Sequence, residues 1–295
     1  MLKIKVEATS ANVCVGFDVL GIALGLYNEF TFKKNSAFSF VGFKDEYSSL
    51  ETNLVYEAYK MVFDIANEEI IPVEIGFKGD IPVSRGLGSS SSLIVAGIFA
   101  ANYFLGNKYS KRELFDIAIK IEGHPDNVAP AIFGGLVASY QKDMKYYPNI
   151  YPVNKNLKFS VVVPNDIVET HHARSVLPKE LPYSDIVWNM SRIVNLPKAF
   201  NDGDINLLKD LFDDRIHEPY RCKLIKKYND VKKIIDKYDA AFAISGSGSC
   251  MLIVSLDLSF KEDLSKLGLK VLTLEVGKGV MMEDTNEGWW VLCNS

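Results

Sequence analysis

Cysteine is scarce: Cys14, Cys222, Cys250 and Cys293 are scattered through 295 residues with no C-x-x-C spacing. Zinc ribbons and thiol-redox motifs are thereby excluded, and free thiols in a reducing compartment are expected in place of disulfides. An excess of positive charge is missing too. Lys and Arg number 33 against 37 Asp and Glu, the net charge is -4, and no basic block stands out. No nucleic-acid partner held by charge is therefore expected. No apolar run reaches the ~18 residues of a membrane span, so no membrane partner is expected. The opening M-L-K-I-K-V-E alternates like a strand and lacks the apolar centre of a signal peptide, which points to the cytoplasm. Internal repeats and low-complexity segments are absent. Both common nucleotide fingerprints fail as well. No lysine follows Gly86 or Gly88 as a P-loop requires, and Ser91 stands where the dinucleotide fingerprint has its last glycine.

What is present is ordinary globular usage, 48% hydrophobic and 24% charged. The length suits one large domain or two moderate ones, and such a chain buries about three quarters of its unfolded surface.

The chain is organised around Ile81–Leu93, which reads I-P-V-S-R-G-L-G-S-S-S-S-L, with an apolar helix-length segment behind it to Leu105. A glycine-serine turn entering a helix aims free N–H groups and the positive end of the helix dipole at one point. That suits a phosphate. It equally suits a Ser-rich cap on a buried helix, and the loop by itself leaves both open.

On either side, strands and helices alternate. Leu2–Glu7, Tyr27–Lys33, Phe38–Phe43, Pro72–Lys78 and Gly135–Gln141 read as strands. Thr52 is placed to cap a helix through Ala66, and Ser110-Lys-Arg-Glu113 is a capping box for a helix ending at Gly123. Residues 142–156 are polar and mark the expected domain boundary. Beyond them, Lys158–Pro164 reads as a buried strand, helical patterns cover about 184–201, 204–213 and 219–237, and a hairpin or phosphate nest turns at Ser245-Gly-Ser-Gly-Ser249. Strands at Leu269–Val276 and Trp289–Cys293 finish the chain, and the class is α+β or mixed α/β.

Polar residues gather in two other places. Thr9, Ser10, Asn12 and Asp18 crowd a small, apolar loop, where turn chemistry and a site are equally good readings. Glu122, His124, Asp126 and Asn127 cluster where a helix breaks, which favours a surface or cleft over a core. Arg215, His217 and Arg221 lie between two helical patterns, where polar residues are usually solvated, and His171-His172 reads as an exposed polar turn before a metal site.

Five ordered stretches carry a resemblance: A-T-S-A-N-V-C-V-G-F-D-V-L-G (8–21), P-V-S-R-G-L-G-S-S-S-S (82–92), E-G-H-P-D-N-V-A-P-A (122–131), H-E-P-Y-R (217–221) and S-G-S-G-S (245–249). Together the sequence resembles the GHMP kinases, with its best match in their homoserine kinase branch. The resemblance implies two domains, 1–150 and 151–295, the first like domain 2 of ribosomal protein S5 and the second ferredoxin-like. It implies transfer of the γ-phosphoryl of ATP, with magnesium, to the side-chain hydroxyl of L-homoserine on the route to threonine. A homodimer is the family expectation.

Residue roles follow from the same likeness. The loop Pro82, Val83, Ser84, Arg85, Gly86, Leu87, Gly88, Ser89, Ser90, Ser91 and Ser92 would wrap the ATP phosphates, and Asn53 would flank the adenine. Ser90 and Glu122 would hold magnesium, a hard ion that needs oxygen ligands. Asn12, Asp18, His124 and Asn127 match the acceptor pocket, and Arg174 and Arg221 match residues that would hold the substrate carboxylate. Asn127 is expected to orient the acceptor hydroxyl while Asp126 holds the loop. Two departures from the family loops stand out, Cys14-Val15 where Gly-Pro is common and Ser249-Cys250 where Pro-Thr is usual. Other readings are a sugar or isoprenoid-alcohol kinase of the same family, or a non-catalytic sensor on the scaffold. Asp18 favours an amino acid over the former, and the intact Glu122 and serine run disfavour the latter.

Overall fold

The structure is a computed structural model that describes residues 1–284 and 288–291. Cys293, expected to end the last strand, lies outside the described residues. The chain opens with β1 (Leu2–Ala11) and β2 (Leu20–Lys34), antiparallel with a bulge between Glu7 and Ala8. Next come β3 (Ser39–Val41), α1 (Leu54–Ala66), β4 (Val73–Gly79), α2 (Ser89–Phe104), α3 (Lys111–Glu122) and α4 (Pro125–Phe133). A hairpin follows, β5 (Leu136–Lys142) and β6 (Lys145–Tyr151).

The polar stretch 142–156, expected to hold the domain boundary, contains β6, where Tyr140 and Tyr147 stack across the strands at 5.1 Å and Arg112 lies 4.1 Å over the Tyr147 ring. Cross-strand aromatic pairs of this kind stabilise a ladder by roughly 0.2–1 kcal/mol.

The second part runs β7 (Lys158–Val163), α5 (Thr170–Ser175), α6 (Tyr183–Ile193), α7 (Leu196–Asp202), α8 (Ile205–Leu211), α9 (Glu218–Arg221) and α10 (Tyr228–Ile235). It continues through β8 (Ala240–Ile244), β9 (Met251–Ser255), α11 (Lys261–Ser265) and β10 (Lys270–Leu274). Then β11 (Met281–Asp284) pairs with β1, and β12 (Gly288–Val291) pairs with β11. The helical patterns at 184–201 and 219–237 are each broken. Pro197 starts a new helix after Asn195, and a 3-10 turn at Cys222–Leu224 separates α9 from α10.

Two sheets result. The larger has order β12-β11-β1-β2-β4-β3, with β5 also on β2 and β6 on β5; the smaller has order β10-β7-β9-β8. Its β-α-β-β-α-β sequence with an antiparallel ladder is ferredoxin-like. One core lies between the larger sheet and α1 to α4. A second joins the sheets, with Leu20, Ile22 and Leu24 of β2 against Phe159 and Val161 of β7 and Leu252 of β9. A third packs the outer face of the smaller sheet on α10. Each side chain such as Phe30 or Phe99, at 0% and 1% exposure, contributes about 1.5–3 kcal/mol by leaving water.

α2 is apolar all round and buried on every side but its first turn, so its N-terminus emerges at the seam between the two parts. No helix of the described residues is long and apolar enough to cross a membrane.

Candidate active site

Gly88 ends the glycine-serine loop at φ +67 and is the N-cap of α2, which begins at Ser89, four residues before the apolar segment. A Cβ on Gly88 would lie 2.0 Å from Thr9 Oγ1, and one on Gly86 2.0 Å from Ser245 O. Both sites therefore require glycine for space as well as for φ. The loop is clamped from the second part of the chain. Ser245 Oγ lies 2.7 Å from Gly86 O and 2.9 Å from Ser10 Oγ, Cys250 N donates to Arg85 O, and Arg85 Nη1 donates to Pro164 O at 2.9 Å. The first loop joins them, since Asn12 Nδ2 donates to Gly246 O at 2.9 Å and Gly246 N donates to Ala11 O. Three loops far apart in sequence thus meet around the start of α2, whose first N–H groups have no partner within the helix.

The first loop is strained. Asn12, Val13 and Cys14 take φ of +66, +31 and +60. A left-handed backbone costs a non-glycine residue about 1–2 kcal/mol, a cost that a glycine at Cys14 would not carry. Burial of the Cys14 side chain, and a 2.7 Å hydrogen bond from His217 Nε2 to Cys14 O, hold the loop in place.

The corner between α3 and α4 supplies the next groups. Glu122 is the last residue of α3, His124 caps α4, and Pro125 starts it, which places Asp126 and Asn127 in its first turn. Proline is well suited to that position because its missing N–H has no helical acceptor there. Glu122 Oε1 accepts Ser91 Oγ at 2.7 Å and Oε2 accepts Ser90 Oγ at 3.3 Å. Burial pushes the Glu122 carboxyl up, and the serine hydroxyls and His124 hold it back. Asp126 is 1% exposed and spends both oxygens, accepting Asn12 N at 3.2 Å and meeting His124 Nδ1 at 2.7 Å. Burial works against a charged His124 ring, but the bond to Asp126 and its charge outweigh it, so the ring titrates above its ordinary range. Asn127 Oδ1 accepts Thr9 Oγ1 at 2.7 Å.

Across the cleft, Arg174 on α5 makes a two-pronged ion pair with Asp18, both contacts at 2.8 Å. Arg221 on α9 is 2% exposed, with Nε on Ala173 O at 3.1 Å and Nη1 on Gly246 O at 3.1 Å. Arg221 and its neighbour His217 were expected to be solvated; both are buried. Asp214 makes this possible by accepting the N–H groups of Ile216, His217 and Glu218, which anchors the start of α9.

One cleft of about 350 Å³ is lined by Asn12, Asp18, Asn53, Glu122, His124, Asp126, Asn127, Arg174, Arg221 and residues 83–90. Pro82, Ser91 and Ser92 are not on its wall. Ser91 reaches Glu122 from within the helix, and Ser92 Oγ donates to Ser89 O and accepts Asn28 Nδ2. Asn53 does line the cleft, but it also replaces Thr52 as the cap of α1, accepting Tyr56 N at 3.0 Å and donating to Tyr47 O at 2.8 Å. Sequence reasoning missed an apolar wall of Phe43, Tyr47, Leu54 and Phe77, with Phe43 stacked on Phe77 at 5.0 Å. It also missed Lys44, Thr170 and Ser247 at the rim. His171 and His172 are exposed on α5 and, among the described residues, belong to no cluster of metal-ligating side chains.

Two groups of side chains among the described residues could interest a cation. Ser90 and Glu122, at the start of α2 and the end of α3, offer only oxygen ligands. Asp18, His124 and Asp126 bring one ligand atom each within 4.8 Å. There, however, Asp18 is committed to Arg174, and Asp126 to His124 and Asn12.

Comparison with known proteins sets this geometry in context. The GHMP kinases N terminal domain matches residues 53–135. A homoserine kinase of Clostridium beijerinckii is 42% identical over 257 residues, 86% of each chain. Another, from Clostridium botulinum, is 39% identical over 285 residues, 94% of this chain and 95% of that one. The chain belongs to the GHMP kinases. Among solved structures, a homoserine kinase of Cytophaga hutchinsonii superposes with a TM-score of 0.85 at 28% identity, covering 96% of this chain and 97% of that one. As a member of this family, the chain is an ATP-dependent small-molecule kinase with the two-domain fold.

Proposed function

We propose that the protein phosphorylates the side-chain hydroxyl of L-homoserine with ATP, forming O-phospho-L-homoserine on the way to threonine. One observation carries the reading: a single cleft sets a helix-capping glycine-serine loop beside a carboxylate and an amide, opposite an aspartate and two arginines. The names of the relatives, homoserine kinases at about 40% identity, agree with it.

In this reading the N–H groups of residues 86–90 and the dipole of α2 hold the ATP phosphates. The apolar wall with Asn53 takes the adenine. Ser90 and Glu122 hold magnesium, which when bound neutralises charge on the phosphates. Two hydroxyls already converge on the Glu122 carboxylate, so the oxygen donors this ion needs are assembled. Asp18 receives the acceptor's ammonium, and Arg174 and Arg221 receive its carboxylate. Binding therefore separates the Asp18–Arg174 pair, each half exchanging its partner for the matching charge of the zwitterion. Asn12 and His124 complete the acceptor pocket.

Asn127 orients the hydroxyl, whose oxygen attacks the γ-phosphorus as the bond to the departing ADP oxygen breaks. The hydroxyl proton passes to an oxygen of the transferred group. A loose transition state asks little of a base, and positioning is the larger effect. Asp126, with both oxygens engaged, holds the corner. Division of the chain near residue 150 belongs to the same reading, supported by β1 to β6 lying in the larger sheet and β7 opening the smaller, although β11 and β12 return to the larger. So does a homodimer, on family expectation, with sedimentation as its check.

Phosphorus and proton NMR of the product test the function directly. Phosphate on the side-chain oxygen of homoserine, with formation stopped by EDTA, is the expected result. ADP formation with unmodified homoserine, or faster turnover of mevalonate or galactose, would sink the assignment.

A further inference from the structure

Phe17 precedes Asp18 in the first loop and is not on the cleft wall, yet it touches both arginines that face the acceptor. The Arg174 guanidinium lies 5.6 Å from its ring centroid and that of Arg221 lies 5.2 Å away. These two cations share one small region. Arg221 is held below its ordinary range first by burial and then by the charge of Arg174. Arg174 has a carboxylate partner, while Arg221 hydrogen-bonds carbonyl oxygens. The negative face of an aromatic ring attracts a cation without adding a net charge that would compete for a carboxylate ligand.

The ring is itself packed against a second ring. His217, at 0% exposure, stacks on Phe17 at 5.5 Å with 28° between planes. Its Nε2 donates to Cys14 O, while Nδ1 has no partner among the described residues. A charged ring would leave an Nδ1–H without an acceptor, so His217 is the neutral Nε2–H tautomer. The segment carrying it is pinned by Asp214, which also accepts Asn189 Nδ2 of α6 at 2.5 Å. Loop, ring and α9 thus form a stack that ends at the two guanidinium groups.

We infer that Phe17 is a positioning residue for the acceptor. Its ring holds both Arg174 and Arg221, the two groups that the reading above assigns to one carboxylate. The inference rests on the acceptor reading of those arginines given above. An ordinary apolar residue filling the same space would lack this effect, because the attraction depends on the ring's electrons and not on its bulk.

The test replaces Phe17 by phenylalanines carrying one, two and three ring fluorines, which keep the shape and progressively drain the ring face. The logarithm of KM for L-homoserine is expected to rise stepwise with fluorination. Phe17→Leu should raise that KM by about tenfold, with much smaller changes in kcat and in KM for ATP. A flat KM across the fluorinated series, or an equal rise in KM for ATP with Phe17→Leu, would overturn the inference. A second readout is independent of substrate. The Nε–H resonance of Arg221, protected by its bond to Ala173 O, should carry a ring-current displacement that collapses in Phe17→Leu. If the unmodified protein does not turn over L-homoserine, the functional reading fails. The arginine resonance then still decides whether Phe17 positions the pair, and an unmoved resonance rejects it.

Discussion

The two sides of the cleft, to which the proposed function assigns the ATP phosphates and the acceptor, are built by opposite means. The phosphate side consists mainly of backbone at the start of α2, with Gly86 and Gly88 required by space and φ, and with its one carboxylate already receiving two hydroxyls. The acceptor side consists of charged side chains from distant segments, and two of them, Asp18 and Arg174, are paired with one another across the cleft. A backbone cradle needs no rearrangement to meet a phosphate. A self-paired pocket has to exchange an internal ion pair for the two ends of a zwitterion. The first arrangement favours rate through preorganisation; the second favours selectivity, since a ligand lacking either charge leaves one partner unmatched.

Substitutions can break this comparison, and the largest effect is expected on the phosphate side. Glu122→Gln keeps the shape and removes the charge, so kcat should fall by about 10²-fold or more at saturating magnesium. Nearly normal turnover would remove Glu122 from that side. At the junction of the two sides, Asn127→Leu should lower kcat by about 10²-fold through misplacement of the hydroxyl, and by more than Asp126→Asn does. The opposite order, together with loss of the acidic limb of the pH–rate profile in the Asp126 variant, would make Asp126 the general base.

On the acceptor side the effect should move from kcat to KM. A charged hydrogen bond is worth about 1.5–3 kcal/mol, so Arg221→Ala should raise KM for the amino acid about 10- to 150-fold. Arg174, more exposed, should sit at the low end of that range. KM for ATP should stay nearly constant in both, and a rise there would place the arginines on the nucleotide side.

The smallest expected effect is on stability, behind the acceptor side. Glu218 sits in α9 beside Arg221, and its carboxyl accepts Ile244 N at 2.5 Å and Tyr228 OH at 3.4 Å. Burial raises its pKa to about 8. The folded protein then holds a proton that the unfolded chain releases above its ordinary carboxyl range. Its contribution to stability is present at acid pH and lost as pH rises through about 8. His217 acts in the other direction, because burial lowers its pKa and protonation below the ordinary histidine range favours the unfolded chain. Thermal denaturation between pH 6 and 9 should show Glu218→Gln losing a few degrees less than the parent over that interval. Parallel curves would mean that Glu218 is charged in the fold.

How far each side was legible follows the same division. The glycine-serine loop at the start of α2 was legible because close backbone approach restricts residue type, and glycine and serine leave a contiguous mark. The corner from Glu122 to Asn127 was legible because Gly123 and Pro125 punctuate it. The acceptor residues Arg174 and Arg221 came only from resemblance, since nothing local in H-H-A-R or E-P-Y-R says that the side chains meet Asp18 and Gly246. Burial of His217 and Glu218 escaped for a physical reason: it depends on Asp214 collecting three backbone donors and on Phe17 stacking from another segment. The wall of Phe43, Tyr47 and Phe77 escaped because aromatic residues in and beside strands read as core. A run of four serines looks uniform in sequence, but helix geometry turns the side chains of Ser91 and Ser92 inward, which the sequence did not show.

The central claim is that one cleft joins ATP to a zwitterionic hydroxy amino acid. Its most direct measurement is magnesium-dependent kcat/KM, by a coupled ADP assay, for L-homoserine against mevalonate, galactose and shikimate. The account predicts turnover of L-homoserine well above the other three, abolished without magnesium. Equal or faster turnover of any of the three would contradict it.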